Sequence, residues 1–202
     1  MRTTILLCLF ITFSSCANWI KSPGFSWSNR PSEKFAILPF RVDRLKRELE
    51  PGMTVPELKE DERREGLRLQ RDLFRYFLRE MRERGVSIDV IQDFNETNDL
   101  LRAKELTVKE GEEVTVEELT EWLGVRAVIS GEIKQMADAE YSAGLLNGSL
   151  QTERRIEAYF VLQENDKRAL WRYRDKQVGN KDVSVYDITK NLLRRVPKKF
   201  PF

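Results

Sequence analysis

Histidine is absent from the 202 residues, which removes His-based triads, imidazole acid–base pairs and histidine metal sites. No stretch matches a phosphate-cradling P-loop or a GxGxxG turn. Carboxylates are abundant, 33 Asp and Glu against 35 Lys and Arg. They are interleaved with cations on helical faces such as 61–84, where they read as solvated ion pairs. A glycan-cleaving pair is defined by its separation in space, and nothing in the spacing singles out two carboxylates. These residue types predict a non-enzyme with no catalytic set, no cofactor and no metal site. Of the two cysteines, Cys8 lies within an apolar run and Cys16 just after it. Cys16 is the one residue with distinctive chemistry.

Residues 1–15 (MRTTILLCLFITFSS) hold one cation, an apolar run over 5–13 and two serines before Cys16, the layout of a short secretory signal with its cleavage site. The run is too short to span a bilayer as a helix, which takes about 20 residues. Phe13-Ser14-Ser15-Cys16 resembles the lipobox of bacterial lipoproteins, with Phe13 where Leu is usual. The resemblance implies cleavage between Ser15 and Cys16, a diacylglyceryl group on the Cys16 sulfur, and fatty acylation, such as palmitate, of the new amine. Small side chains fit the processing enzyme beside the cut, and the thiolate takes the lipid. Two or three acyl chains then anchor firmly, where one would hold only marginally.

The alternative is an ordinary signal cut near Ala17, with Cys16 incidental. Cysteine usage favours lipid, because Cys8 leaves with the signal and a lone exposed thiol is a liability in a secreted protein. With Cys16 lipidated, no thiolate nucleophile or thiolate metal site remains. The expected location is the cell envelope, at the outer membrane facing the periplasm. Ala17-Asn18 lacks the Asp that commonly retains lipoproteins in the inner membrane.

The elements that follow must build a body for this anchor. Residues 16–34 mix Pro23-Gly24 and serines with Trp19, Phe25 and Trp27 and show no periodicity, which predicts a lipidated tether spanning about 23 Å. Its aromatic residues would rest at lipid headgroups or pad the surface of the body. Charged residues at 34% and hydrophobic ones at 41% suit one globular domain over 35–202. The formal charge of +2 gives no reason to expect nucleic acid.

Residues 35–40 read as a buried strand ended by Pro39, and 41–60 as a long loop. Apolar spacing of three and four predicts a helix over 61–84, stopped by Gly85. Residues 86–91 alternate like a strand, and 94–105 look helical, capped by Asp93 or Asn95. Thr115 and Glu118 form a capping box for a short helix ending at Gly124. A strand over 125–136 follows, then a hairpin loop over 137–151, antiparallel strands over 152–163 and 169–174, and a helix over 184–196. That order predicts an α/β (α+β) fold, a mixed sheet flanked by helices.

Three segments, 34–40 (KFAILPF), 123–132 (LGVRAVISGE) and 168–173 (RALWRY), together resemble periplasmic lipoproteins sharing the fold of the TolB N-terminal domain. That group includes the curli-secretion channel family, lipoprotein activators of penicillin-binding proteins, and lipoproteins of unknown role. The residues in these segments read structurally: Gly131 permits close backbone approach, and Trp171 reads as core. The leading expectation is a membrane-anchored, non-catalytic binding or scaffold module. Its expected partners are the bilayer, through the lipid, and an envelope protein; self-association is left open. A secretion-channel subunit is the alternative, although 137–151 is short and polar for a membrane-spanning hairpin. A cell-wall glycan hydrolase ranks below both.

Overall fold

The computed structural model describes residues 18–30, 32–44, 53–105, 114–142, 150–165, 168–180 and 183–202. The expected signal at 1–15 and the lipidation site Cys16 lie outside them. Phe35–Ile37 (β2) and Arg41–Asp43 (β3) run parallel, one after the other, along a single edge of Ala127–Ser142 (β4). Between them the Leu38 N–H still donates to Ile129 of β4 at 2.9 Å, and the chain then leaves the ladder at Pro39, which has no N–H to give. The Phe40 N–H instead donates to the carbonyl of Gly66 at 3.3 Å. The other edge of β4 pairs antiparallel with Leu150–Glu164 (β5), which pairs with Ala169–Asn180 (β6). Asn18–Lys21 (β1) closes the far edge against β6. The sheet is thus mixed, six-stranded and open, within a single α/β domain.

Among the described residues four helices cover it. Val55–Arg84 (α1) opens on a complete capping box: the Glu57 N–H donates to Thr54 Oγ1 at 3.4 Å, and the Thr54 N–H to Glu57 Oε2 at 2.7 Å. It stops at Gly85, whose φ of 67° suits a left-handed cap. Phe94–Glu105 (α2) is capped by Asp93, which accepts from the Asn95 N–H at 2.8 Å. Val116–Leu123 (α3) has the expected Thr115–Glu118 box and Gly124 stop. Val185–Leu193 (α4) is capped by Ser184.

Alternate strand residues separate the two sheet faces. Ile129, Ile133, Phe160, Leu162, Trp171 and Tyr173 form one core with Leu69, Leu73 and Phe77 of α1 and Leu192 of α4. On the opposite face, α2 and α3 cover β2, the start of β4 and the end of β5 paired with it, through Ala36, Leu123, Val125 and Val128. Trp171 is fully buried, as expected of a core residue.

Four expectations are corrected. Residues 18–34 are not a tether: 18–21 form β1, and Phe25 and Trp27 are buried. Trp27 packs edge-on against Phe35 at 4.9 Å and donates its backbone N–H to Pro201 at 2.7 Å. The folded body therefore includes β1 and the segment with Phe25 and Trp27, ahead of the expected boundary at 35. The long helix begins at Val55 rather than 61, because Thr54, Pro56 and Glu57 supply its start. Residues 86–91 form a 3-10 turn over Ile88–Val90, nucleated by Ser87 Oγ accepting from the Asp89 N–H at 3.3 Å. Only Ile91 bridges to Phe35. The hairpin expected to be mostly loop over 137–151 is strand to Ser142 and again from Leu150.

Gly66 is where α1 touches the interrupted edge strand. A Cβ there would sit 2.0 Å from the Phe40 carbonyl oxygen, and backbone on both sides cannot yield cheaply. Gly66→Ala is expected to destabilise the fold by about 3 kcal/mol, read as a lowered urea midpoint. Wild-type stability in this variant would refute the contact.

Candidate functional site

Three polar clusters show what kind of chemistry the body can perform. Glu164, at the end of β5, has a fully buried side chain. Its carboxylate accepts from Arg30, from Arg126 Nε at 3.2 Å and from Arg168 Nη2 at 2.7 Å. Burial alone would push its pKa up, but the three guanidiniums outweigh it and hold the carboxyl below the usual range. Tyr173 Oη donates to Asp175 Oδ2 at 2.7 Å, and Arg195 lies 3.1 Å from the same oxygen. Burial, reinforced by Asp175, pushes the Tyr173 phenol up. Tyr186 Oη donates to Asp72. Each carboxylate is engaged by a fixed donor, so these clusters are locks between elements.

The second face of the sheet is different. Beyond the reach of α2 and α3, the outward residues are Glu132, Lys134 and Met136 on β4, Glu157 and Tyr159 on β5, and Arg172, Arg174 and Val178 on β6. Glu157 sits at the centre. Its hydrogen bond from Arg174 is the main reason its carboxyl lies below the usual range, with Lys176 3.8 Å away. Around it Lys134 pairs with Glu132 at 3.1 Å, and Arg41 reaches Glu132 at 3.8 Å. Glu132, Lys134, Glu157, Tyr159 and Arg174 line a shallow recess of about 180 Å³. Met136 and Val178 are 41% and 49% exposed beside these charges. A low-relief face of Tyr, Met and Arg suits a protein partner, whereas small-molecule sites are concave and largely apolar.

The third feature is the N-terminal edge. Cys16, the one site residue expected from sequence, precedes β1 by two positions, with Trp19 44% and Ile20 68% exposed on that strand. Sequence reasoning did not single out the open face, although its signal was present: Arg172, Arg174 and Lys176 alternate with Trp171, Tyr173 and Asp175.

No family model matches the sequence, and neither does any curated protein. Among solved structures the chain is similar to a PelC dodecamer from Paraburkholderia phytofirmans, at 12% identity and a TM-score of 0.45 over 92% of this chain and 96% of that one. A second PelC crystal form gives 11% and 0.46 over the same shares. A neuraminyllactose-binding hemagglutinin homolog from Helicobacter pylori gives 11% and 0.33, over 82% of this chain and 79% of that one. Likeness at this level assigns no residue and no partner.

The Glu164 lock predicts a pH dependence. Its folded pKa lies below the ordinary 4.5, so its contribution is complete above that value and is lost as pH falls through the depressed one. Glu164→Gln is expected to cost about 2 kcal/mol at neutral pH and to flatten the acid limb of stability. Urea melts of both proteins at pH 7 and in the acid range measure it. Equal steepness in the two would refute the assignment.

Proposed function

We propose that this protein is a lipid-anchored lipoprotein of the bacterial envelope, whose folded body is a non-catalytic binding module presenting its open sheet face to a protein partner. The observation that supports this most is the short chain distance from Cys16 to the sheet. β1 begins at Asn18, and two extended residues reach about 7 Å. Lipid on Cys16 would hold the sheet edge itself at the headgroups, with exposed Trp19 at the depth aromatic residues favour. A body held that closely has one orientation, and its uncovered strands form a surface that a partner meets in register.

A subunit of an oligomeric secretion channel is the second reading, favoured by the length of the β4–β5 hairpin, 16 and 15 residues. Past Lys134 the outer edge of β4 has no partner strand among the described residues. A barrel strand needs about 9–11 residues alternating with a lipid-facing apolar row. The distal hairpin instead carries Asp138, Glu140, Glu153, Arg154 and Arg155, which ranks this reading second.

Mass spectrometry of the mature protein is expected to give an N-terminal peptide starting at Cys16 and carrying diacylglyceryl and acyl mass, absent in Cys16→Ser. An unmodified peptide starting at Ala17 would overturn the anchor. For the partner surface, the double variant Tyr159→Ser/Arg174→Glu is expected to keep its lipid and fold yet weaken partner capture at least tenfold. Undiminished capture would move the interface elsewhere.

A further inference from the structure

The arginines of α1 are gathered on one side. Arg64, Arg68, Arg71, Arg75, Arg79 and Arg82 recur at intervals of three and four, which on an α-helix confines them to a sector of about 80°. That sector faces away from the buried Leu69, Leu73 and Phe77. From Arg64 to Arg82 the row is about 27 Å long, and no Asp or Glu falls inside it. Asp72, at its border, is buried and taken up by Tyr186.

Intramolecular partners are few. Arg64 reaches Asp61 only at 3.5 Å, and Arg68 lies over the Tyr186 ring at 3.6 Å. Arg75, Arg79 and Arg82 are exposed, and none of them makes an ion pair with a described residue. Arg71 is half-buried, and its Nε has no hydrogen-bond partner. Cations from both neighbouring helices widen the row. Arg194, which ends α4, donates to Tyr76 Oη at 3.3 Å, and Arg102 of α2, paired with Asp99 at 3.3 Å, faces Arg64, Arg68 and Arg71 across a recess of about 360 Å³ that Asp99 also lines.

An ordinary solvated helix face mixes signs in i,i+4 pairs, and like charges at that spacing destabilise a helix. The row cannot be put down to overall basicity, since the chain has a formal charge of only +2. It therefore holds a like-charge array that an external anionic surface would relieve. Guanidiniums bind phosphate through paired donors. A long exposed row flanked by further cations matches a plane of phosphates better than a single bound anion.

We propose that this face of α1 docks on anionic lipid headgroups. The choice of a bilayer over other polyanions rests on the lipoprotein reading above. The geometry agrees with it. Trp19 lies directly opposite Tyr173, so its side chain is on the sheet face that α1 and α4 cover. The anchor strand's exposed tryptophan and the arginine row thus occupy one side of the molecule, and the open strands the other. An acyl anchor joined to a basic patch also makes a firmer attachment than either element alone.

Residues 18–202 contain every described element with its core, so a lipid-free 18–202 fragment can be tested without the anchor. Flotation with phosphatidylcholine vesicles, with and without phosphatidylglycerol, is expected to show binding only to the anionic vesicles, falling as salt rises. At about fivefold per arginine, Arg75→Gln/Arg79→Gln/Arg82→Gln should weaken it roughly 100-fold while leaving circular dichroism unchanged. Equal binding to both vesicle types, no binding, or an unaffected triple variant would overturn the proposal. Tighter binding to duplex DNA or heparin than to anionic vesicles would also overturn it, and would assign the row to a soluble polyanion. Vesicle binding without acyl mass on Cys16 would sink the lipoprotein reading alone; acyl mass without vesicle binding would sink this one alone.

Discussion

The structure depends on an aromatic nucleus centred on Phe200, close to the end of the chain. Its ring lies 5.2 Å from Phe35 of β2, 5.0 Å from Phe77 of α1 and 5.4 Å from Trp171 of β6. Trp27 joins at 6.5 Å. Four segments far apart in sequence are thereby fixed to one another, each ring pair adding about 0.5–1.5 kcal/mol beyond the area it buries. Trp171 Nε1 also donates to the Lys199 carbonyl at 3.0 Å, so the nucleus holds the C-terminal backbone as well as its rings. Through Trp27 it also ties down the N-terminal segment that composition alone suggests as a loose tether, beside the ladder of β1 on β6.

That dependence explains what could be read from sequence and what could not. The Thr115–Glu118 box, the Gly85 and Gly124 stops and the Asp93 cap are local: each needs only residues two to four apart. The central strand was legible because its apolar run is buried on both faces near Ala127–Ile129. Trp27 gave no such signal, because its partners Phe35 and Phe200 lie elsewhere in the chain and no periodicity marks its face. At 86–91 the alternation was real, but Ser87 offered the backbone a nearer bond than a ladder would. In the distal β4–β5 hairpin, pairing is carried by backbone groups, which bond across polar side chains as readily as apolar ones.

The functional surfaces divide in the same way. Cys16 is legible as a motif because lipid processing reads only its immediate neighbours. The open face is legible once the inward residues of β6 are known, since Arg172, Arg174 and Lys176 are then outward by parity. The arginine row was hidden by the apolar stripe that shares its helix. A search for core residues reads α1 at Leu73, Phe77 and Met81, and the same three- and four-residue spacing on the far side goes unread.

An open sheet has two edges, and unpaired edges invite association with other chains. Here they differ in kind. The β1 edge is four residues long and carries an exposed Ile20, with Cys16 two positions before it. In the proposed orientation the headgroup layer lies against this edge, which hinders another strand from pairing there. The β4 edge beyond Lys134 is longer and has no partner strand among the described residues. If the α1 arginines rest on the bilayer, that β4 edge and the charged strand face turn away from the membrane together. The same placement that shields one edge thus presents the other beside Tyr159 and Arg174, where a partner strand and a polar surface would be met at once.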